Sequence, residues 1–446
     1  MKVVLVSTYE LGHQPFGLSS PAAWLRRDGH EVVCLDLAVA PLDEAAVRAV
    51  GLVAFYLPMH TATRLAMPVI ERVKQLNPQA HLACYGLYAP LNTDLLRGMG
   101  VKTVIGGEFE PALVELANGG IASGGLERLT FLRPDRSGLP DLALYSHLRR
   151  NGTKTATGYT EASRGCKHLC RHCPVVPVYQ GQFRVVQPEV VLADIRQQVA
   201  AGAGHISFGD PDFFNGPTHA LRIVEGFHAE FPNITYDATI KIEHLQQHRA
   251  LLPALKETGC LFITSAVESI DDSVLTRLEK GHARQDFYEV AVSLREIGLV
   301  LQPTFIAFMP WTTIQGYGDL LRALVELELV ENTAPVQLAL RLLVTQNSRL
   351  LELPDIQAVI GPFDEKALMY PWKHSDRDVD TLGNLVFQLV SRRQEENKTR
   401  AEIFREIWEL VLRTPAPPLS QKAPAPHAIP HMDEPWYCCA EPAPQV

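Results

Sequence analysis

A chain of 446 residues has room for two to four domains of roughly 100–200 residues each, which excludes a single small module. With 46% hydrophobic and 20% charged residues, most of it should fold rather than stay solvated. Lys and Arg number 41 against 50 Asp and Glu, for a net charge of −9; the basic footprint of a protein that grips a phosphate backbone is missing, so nucleic acid is not expected as a partner.

Residues 1–120 alternate short apolar runs (KVVLVS, HEVVCLDL, LVAFYL, HLACYG, KTVIGG) with helix-like stretches such as TRLAMPVIERVKQL. Val-, Ile- and Leu-rich strands between helices predict a parallel sheet covered on both faces, an α/β doubly wound domain of flavodoxin-like type. Such a domain binds ligands beyond the carboxyl ends of its strands, here near Thr8 to Gly17, Met59 to Thr63 and Gly106 to Glu110. Residues 121–155, with SGG and RPDRSGLPD, read as a linker. A second series follows over 156–345, with candidate strands TATGYTEAS, HISFGD, ITYDATI, LFITSAVES, LVLQPTFIAF and PVQLALRLLV. Six strand–helix repeats predict a partial (β/α)6 barrel with its reactive groups at the carboxyl ends of the strands. Residues 346–413 read as a helical C-terminal region. From Thr414 onward nine prolines predict an extended, mobile tail over 414–446.

No apolar run reaches the roughly 20 residues of a membrane span, and MKVVLVSTYE turns polar too soon for a signal peptide. The expected setting is the cytoplasm, without membrane contact. Eight cysteines are too few for a disulfide framework in a chain of this length, and clustered thiols in a reducing compartment point to metal or redox chemistry. Cys34, Cys84 and Cys260 stand alone in apolar surroundings and read as core residues. SRGCKHLCRHCP places Cys166, Cys170 and Cys173 at CxxxCxxC spacing after the first barrel strand. Three thiolates can hold a four-iron cluster with one iron left open. They can equally hold zinc, with His168 or His172 as fourth ligand, and the spacing alone leaves both open.

Together with the segments downstream, this run resembles the radical S-adenosylmethionine (SAM) enzymes that carry an N-terminal cobalamin-binding-type domain, over roughly residues 1–345. The resemblance implies a [4Fe-4S] cluster on Cys166, Cys170 and Cys173 whose open iron chelates the amino and carboxylate groups of SAM. His172 takes the usually aromatic place near the adenine. Gly209 and Asp210, in FGDPDFF, occupy the second-strand position that meets the SAM amino group, where a carboxylate makes a charge-assisted hydrogen bond. Lys241, in ATIKIEHL, would face the SAM carboxylate, and Glu268, in SAVESIDD, its ribose; FIAFMPWTT resembles the segment packed on the adenine.

GHEVVCLDLA and IGGEFEPALVELA resemble the first-domain segments of the same family, and the resemblance admits cobalamin as a further cofactor. The lower-ligand pattern Asp-x-His-x-x-Gly is absent from residues 1–120, and YGLYAP stands where a glycine pair is usual. His13, His60 and Thr61 lie near the expected mouth. The ending DEPWYCCAEPAPQV resembles the tails of radical SAM proteins that end in CCAEP, or in CUAEP with selenocysteine at the place of Cys439. This implies that Cys438 and Cys439 take part in catalysis, with Cys439 as a nucleophile. Adjacent thiols can chelate a soft atom or exchange electrons. The radical SAM enzymes of arsinothricin biosynthesis carry a longer C-terminal cysteine motif that this chain lacks, so the resemblance makes a thiophilic arsenic or selenium substrate a lead rather than a deduction. About 24 extended residues from Thr414, at about 3.1 Å each, reach about 70 Å, enough for the pair to meet the barrel mouth, with Trp436 and Tyr437 as anchors.

The expected function is therefore reductive cleavage of SAM coupled to modification of a small substrate, with an external electron donor such as a flavodoxin or ferredoxin. Two alternatives compete: a cobalamin-dependent radical SAM methyltransferase, and a non-catalytic zinc or iron–sulfur module.

Overall fold

The computed structural model describes the chain apart from Ser123 and residues 419–428, 435–439 and 442–446; Cys438 and Cys439, with Trp436 and Tyr437, lie outside the described residues. The N-terminal sheet consists of β1 (Lys2–Ser7), β2 (Glu31–Asp36), β3 (Leu52–Tyr56), β4 (His81–Tyr85) and β5 (Thr103–Ile105). All are parallel, in the order β2-β1-β3-β4-β5. Alternation along β1 explains its two covered faces: Val4 and Val6 pack with Ala62, Ala66 and Ile70 of the helix His60–Leu76. Val3 and Leu5 pack with Leu18, Ala22 and Leu25 of the helix Phe16–Arg27 on the other side. The strand order reverses between β1 and β3, the switch point where such sheets bind ligands. Tyr56 stands there, its ring so close that a Cβ on Gly17 would lie 2.2 Å from it.

The second sheet is a curled half-barrel. Here β7 (Thr153–Thr160), β10 (His205–Phe208), β11 (Thr235–Thr239), β12 (Cys260–Glu268) and β13 (Val300–Phe305) run parallel. Beyond β7 the sheet continues antiparallel into β6 (His147–Arg150) and β15 (His431–Met432). A small ladder of β8 (Ser163–Gly165) and β9 (Phe183–Val185) frames the cysteine loop.

Three expectations are corrected. The sixth barrel strand, over PVQLALRLLV, shrinks to β14 (Arg341–Leu342) behind a 3-10 turn at Pro335–Leu338. Distant elements take its polar groups: the Phe305 N–H donates to the Gln337 side chain at 3.2 Å and Tyr317 Oη donates to the Leu338 carbonyl at 2.8 Å. Nor is 121–155 a loose linker. Phe131 and Leu142 are buried in the barrel core, β6 lies within it, and Arg136 donates to the Tyr159 carbonyl at 2.6 Å while pairing with buried Asp194. The tail, finally, does not run free over all of its length. Residues 429–434 cross the open side of the half-barrel: Gln302 of β13 donates to the Pro430 carbonyl at 2.5 Å, and His431–Met432 pair with Leu148–Arg149 of β6 at the opposite edge. Asp433 pairs with Arg149, and Tyr9 of the N-terminal sheet's first loop donates to Glu434. Further on, β16 (Ala440–Glu441) pairs antiparallel with β14. Among the described residues no helix is long and apolar enough to cross a membrane.

Candidate active site

A cavity of about 320 Å³ lies between the half-barrel and the carboxyl ends of the N-terminal strands, within the range of small-molecule and cofactor sites. Cys166, Cys170, His172, Cys173, Gly209, Asp210, Lys241 and Glu268 all line it. Eight residues scattered over about a hundred positions meet on one surface because each sits on the loop after, or at the carboxyl end of, a parallel strand.

The cysteine loop is held at both ends. Gly165 precedes Cys166 with φ +75°, and a Cβ there would lie 2.4 Å from the Tyr179 ring and 2.5 Å from the Gln182 carbonyl, so only glycine fits. Asn215 accepts from the Lys167 N–H at 3.2 Å and donates to the Gly165 carbonyl at 3.2 Å. The Arg171 N–H donates to the Leu278 carbonyl at 3.0 Å. Burial pushes the Cys166 thiol up to about 12 and raises Cys170, so both stay protonated until a metal takes the thiolate. Lys241 Nζ stands 3.7 Å from Cys170 Sγ and 3.3 Å from Glu243.

Asp210 accepts from Ser163 Oγ at 2.5 Å and from the Ala162 N–H at 2.9 Å, joining the end of β10 to the strand that starts the cysteine loop. Burial nevertheless lifts its carboxyl to about 7. Glu268, in the left-handed region at φ +67°, faces His172 Nε2 at 3.1 Å and Lys280 Nζ at 3.4 Å. Against the cost of burial, Lys280 and then His172 hold its carboxyl down at about 2. The two histidines that could complete a zinc site are both engaged elsewhere, His172 with Glu268 and His168 with His244.

Sequence reasoning missed two features. Lys280 lies twelve residues beyond Glu268 and carries no role there. Arg164, inside SRGC, is buried against Glu108 at 3.1 Å, Glu110 at 2.7 Å and Glu161 at 2.7 Å, and so welds the two sheets' loops together. The far end of the cavity, lined by Tyr56, Met59, Leu87, Tyr88 and Phe109, lies where the sequence placed a ligand, near Thr8 to Gly17, Met59 to Thr63 and Gly106 to Glu110. There Glu10 Oε2 and His13 Nδ1 are buried without a hydrogen-bond partner. Burial raises the Glu10 carboxyl well above its ordinary range and lowers His13 to about 4, in each case disfavouring the charged form. His13 stacks on Tyr159 with ring centroids 4.6 Å apart. His60 instead faces the Ala367 carbonyl at 2.7 Å.

Residues 160–323 match the family model of the Radical SAM superfamily. The chain carries a radical SAM domain. Such a domain implies a [4Fe-4S] cluster and SAM, and the residues present fit both: three thiols line the cavity together with the Asp210 and Glu268 carboxylates. Among curated proteins the chain is 25% identical over 324 residues to the hopanoid C-3 methylase of Methylococcus capsulatus, covering 67% of this chain and 62% of that one. It is 25% identical over 195 residues to the ribosomal protein uS12 methylthiotransferase RimO of Syntrophotalea carbinolica, covering 41% and 42%. The chain thus spans 42% to 62% of the length of these two relatives. Among solved structures, the cobalamin-dependent SAM radical enzyme OxsB, with aqua-cobalamin and SAM bound, matches with a TM-score of 0.70 at 13% identity, over 87% of this chain and 66% of that one. The radical SAM methyltransferase TsrM from Kitasatospora setae matches with 0.58 at 17%, over 73% and 71%. At these identities the structural matches establish the fold.

Proposed function

We propose that this protein is a radical SAM enzyme that reductively cleaves SAM at a [4Fe-4S] cluster on Cys166, Cys170 and Cys173. Its substrate is a small thiophilic arsenic or selenium compound held by Cys438 and Cys439, and its electrons come from a flavodoxin or ferredoxin in the cytoplasm. The convergence of all eight described candidate residues on one cavity supports the cofactor assignment. When bound, the cluster supplies the electron that breaks a carbon–sulfur bond of SAM. Lys241 offsets negative charge beside Cys170. The Glu268–His172–Lys280 group presents a fixed carboxylate to the cofactor, while Asp210 uses both oxygens to hold the cysteine loop and borders the SAM amino position.

Two observations support the role of the tail cysteines. His431, Met432 and Glu434 line the cavity itself, and Ala440–Glu441 pair with β14, which continues the barrel edge through the bridge from Arg341 to Phe308. Anchors thus flank the cysteine pair in sequence on both sides.

The test is anaerobic reconstitution, reduction with SAM, and identification of the SAM fragment with and without an arsenite or selenite substrate. Four irons per chain and 5′-deoxyadenosine, methylthioadenosine or S-adenosylhomocysteine would establish the class, the fragment naming the bond broken. Stoichiometric zinc without iron would sink it in favour of a non-catalytic module. Cys→Ala at 166, 170 or 173 serves as the cluster-free control.

A second reading, cobalamin-dependent methyl transfer, is favoured by the flavodoxin-like N-terminal unit and the apolar far end of the cavity. Its wall of Tyr56, Met59, Tyr88 and Phe109, with the orphaned His13 Nδ1 and Glu10 Oε2, is where this chain would hold the cofactor. Retention of cobalamin through gel filtration decides between the two.

A further inference from the structure

We propose that His168, Asp212 and His244 form a second metal site, for a divalent transition metal of the zinc type, separate from the cysteine cluster. None of the three lines the cavity. His168 comes from the cysteine loop, Asp212 from the segment after β10, and His244 from the helix Ile242–Gln247 after β11. Their ligand atoms lie within 4.8 Å of one another.

Protons are too few for the contacts these groups make. His168 Nε2 and His244 Nε2 face each other at 3.1 Å. The far nitrogen of each ring faces a carboxylate, His168 Nδ1 with Glu243 Oε2 at 3.3 Å and His244 Nδ1 with Asp212 Oδ2 at 2.6 Å. A neutral imidazole carries one N–H, so two rings supply two protons to three contacts between acceptors. Whichever tautomers are chosen, two lone pairs are left facing one another. Consistent with that deficit, Asp212 Oδ2 and His244 Nδ1 are buried and, despite their closeness, not aligned as a hydrogen bond. Asp212 Oδ1 is already committed to the Phe214 and Lys241 N–H groups at 3.2 and 3.5 Å. Charge is short as well: Lys241 Nζ pairs with Glu243 at 3.3 Å, whereas buried Asp212 meets Lys241 through its backbone N–H, and an uncompensated buried charge is costly.

A divalent ion answers both deficits. Two imidazoles and a carboxylate are a common donor set for zinc and its neighbours. Nitrogens about 2.1 Å from one ion lie about 3.0–3.4 Å apart for octahedral to tetrahedral angles, which brackets the observed 3.1 Å. Asp212 Oδ2 lies 3.9 Å from His168 Nε2, within reach of the same ion, and Glu243 takes the place of an outer carboxylate that orients a ligating histidine. The ion would tie the cysteine loop to two neighbouring barrel segments.

The experiment uses the full chain with its iron cluster reconstituted, incubated with Zn²⁺ and freed of excess metal by gel filtration. Metal analysis should give about one zinc per chain beside the iron. Zinc-edge X-ray absorption should show a shell of nitrogen and oxygen near about 2.0–2.1 Å, without the sulfur near about 2.3 Å that a thiolate site gives. His168→Gln and His244→Gln should keep the iron and lose at least about nine-tenths of the zinc; His168 is partly exposed, so its variant guards against a folding failure at buried His244. Iron-loaded wild type without zinc would show that the histidines share a proton instead. Zinc with a sulfur shell, or zinc retained in both variants, would equally overturn the site.

Discussion

His172 Nε2 stands 3.1 Å from Glu268 Oε1, a contact that ties the cysteine loop to the end of β12, the fourth parallel strand of the half-barrel. Both side chains are buried, and Lys280 completes the group from the other side.

Removing this carboxylate separates cofactor binding from cluster binding. Glu268→Ala should keep four irons per chain yet weaken SAM binding, because a hydrogen bond to a charged group is worth about 1.5–3 kcal/mol, or about 10–150-fold in affinity. Equilibrium SAM titration of the reconstituted variant checks this; unchanged affinity would show that Glu268 does not meet the cofactor.

The same residue sets an acid limb of stability. Its carboxyl is held at about 2, below the ordinary 4.5, so its stabilising contribution is complete above about pH 4.5 and is lost as pH falls toward 2. Denaturant titrations of the cluster-free protein across that window should show a steeper loss in wild type than in Glu268→Gln.

Gly165→Ala should damage the loop without touching a thiol. At φ +75° the added Cβ meets Tyr179 and the Gln182 carbonyl, a combination of backbone strain and overpacking that costs about 1–3 kcal/mol. Lowered iron content after reconstitution, together with a lower Tm, is the expected result. Ala at Gly119, where a Cβ meets nothing within 4 Å although φ is +82°, separates the steric cost from the backbone one.

Arg164→Ala would leave buried Glu108 and Glu110, with half-buried Glu161 beside them, without their common cation. The expected loss is about 3–5 kcal/mol, read as a shifted denaturant midpoint. Arg164→Lys should recover part of it, since a point charge cannot reproduce the forked contacts with two carboxylates at once.

Two truncations divide the tail. A chain ending at Glu434 keeps the strap across the half-barrel, and should retain wild-type stability, its cluster and SAM cleavage while making no product. One ending at Arg413 also loses buried Ile429, worth about 1.5–3 kcal/mol, and should be less stable. Cys439→Ser should resemble the first truncation, because a hydroxyl is a poor soft-atom ligand. Wild-type product yield from the chain ending at Glu434 would remove the cysteine pair from the machinery.

Much of this protein was written in short stretches of sequence. The parallel strands of both sheets follow from apolar runs and intervening helices, and the spacing of Cys166, Cys170 and Cys173 is a property of one loop. Gly209, Asp210, Lys241 and Glu268 were singled out by resemblance to radical SAM segments, and a parallel barrel brings such strand-end residues to one mouth. What the sequence could not supply is pairing across distance. PVQLALRLLV is as apolar as a strand, yet the Gln337 side chain and the Leu338 carbonyl are taken by neighbours that only the folded barrel brings near. Arg164 stands out in no local pattern, and only the fold brings Glu108 and Glu110 of one loop and Glu161 of another around it. His168 and His244 lie on separate elements, and the proline-rich run hid a strap because its partners, Gln302 and the edge of β6, stand on opposite sides of the sheet. Local periodicity dictates elements; which buried charges and backbone edges must satisfy one another is decided only when curvature of the sheet closes the space between them.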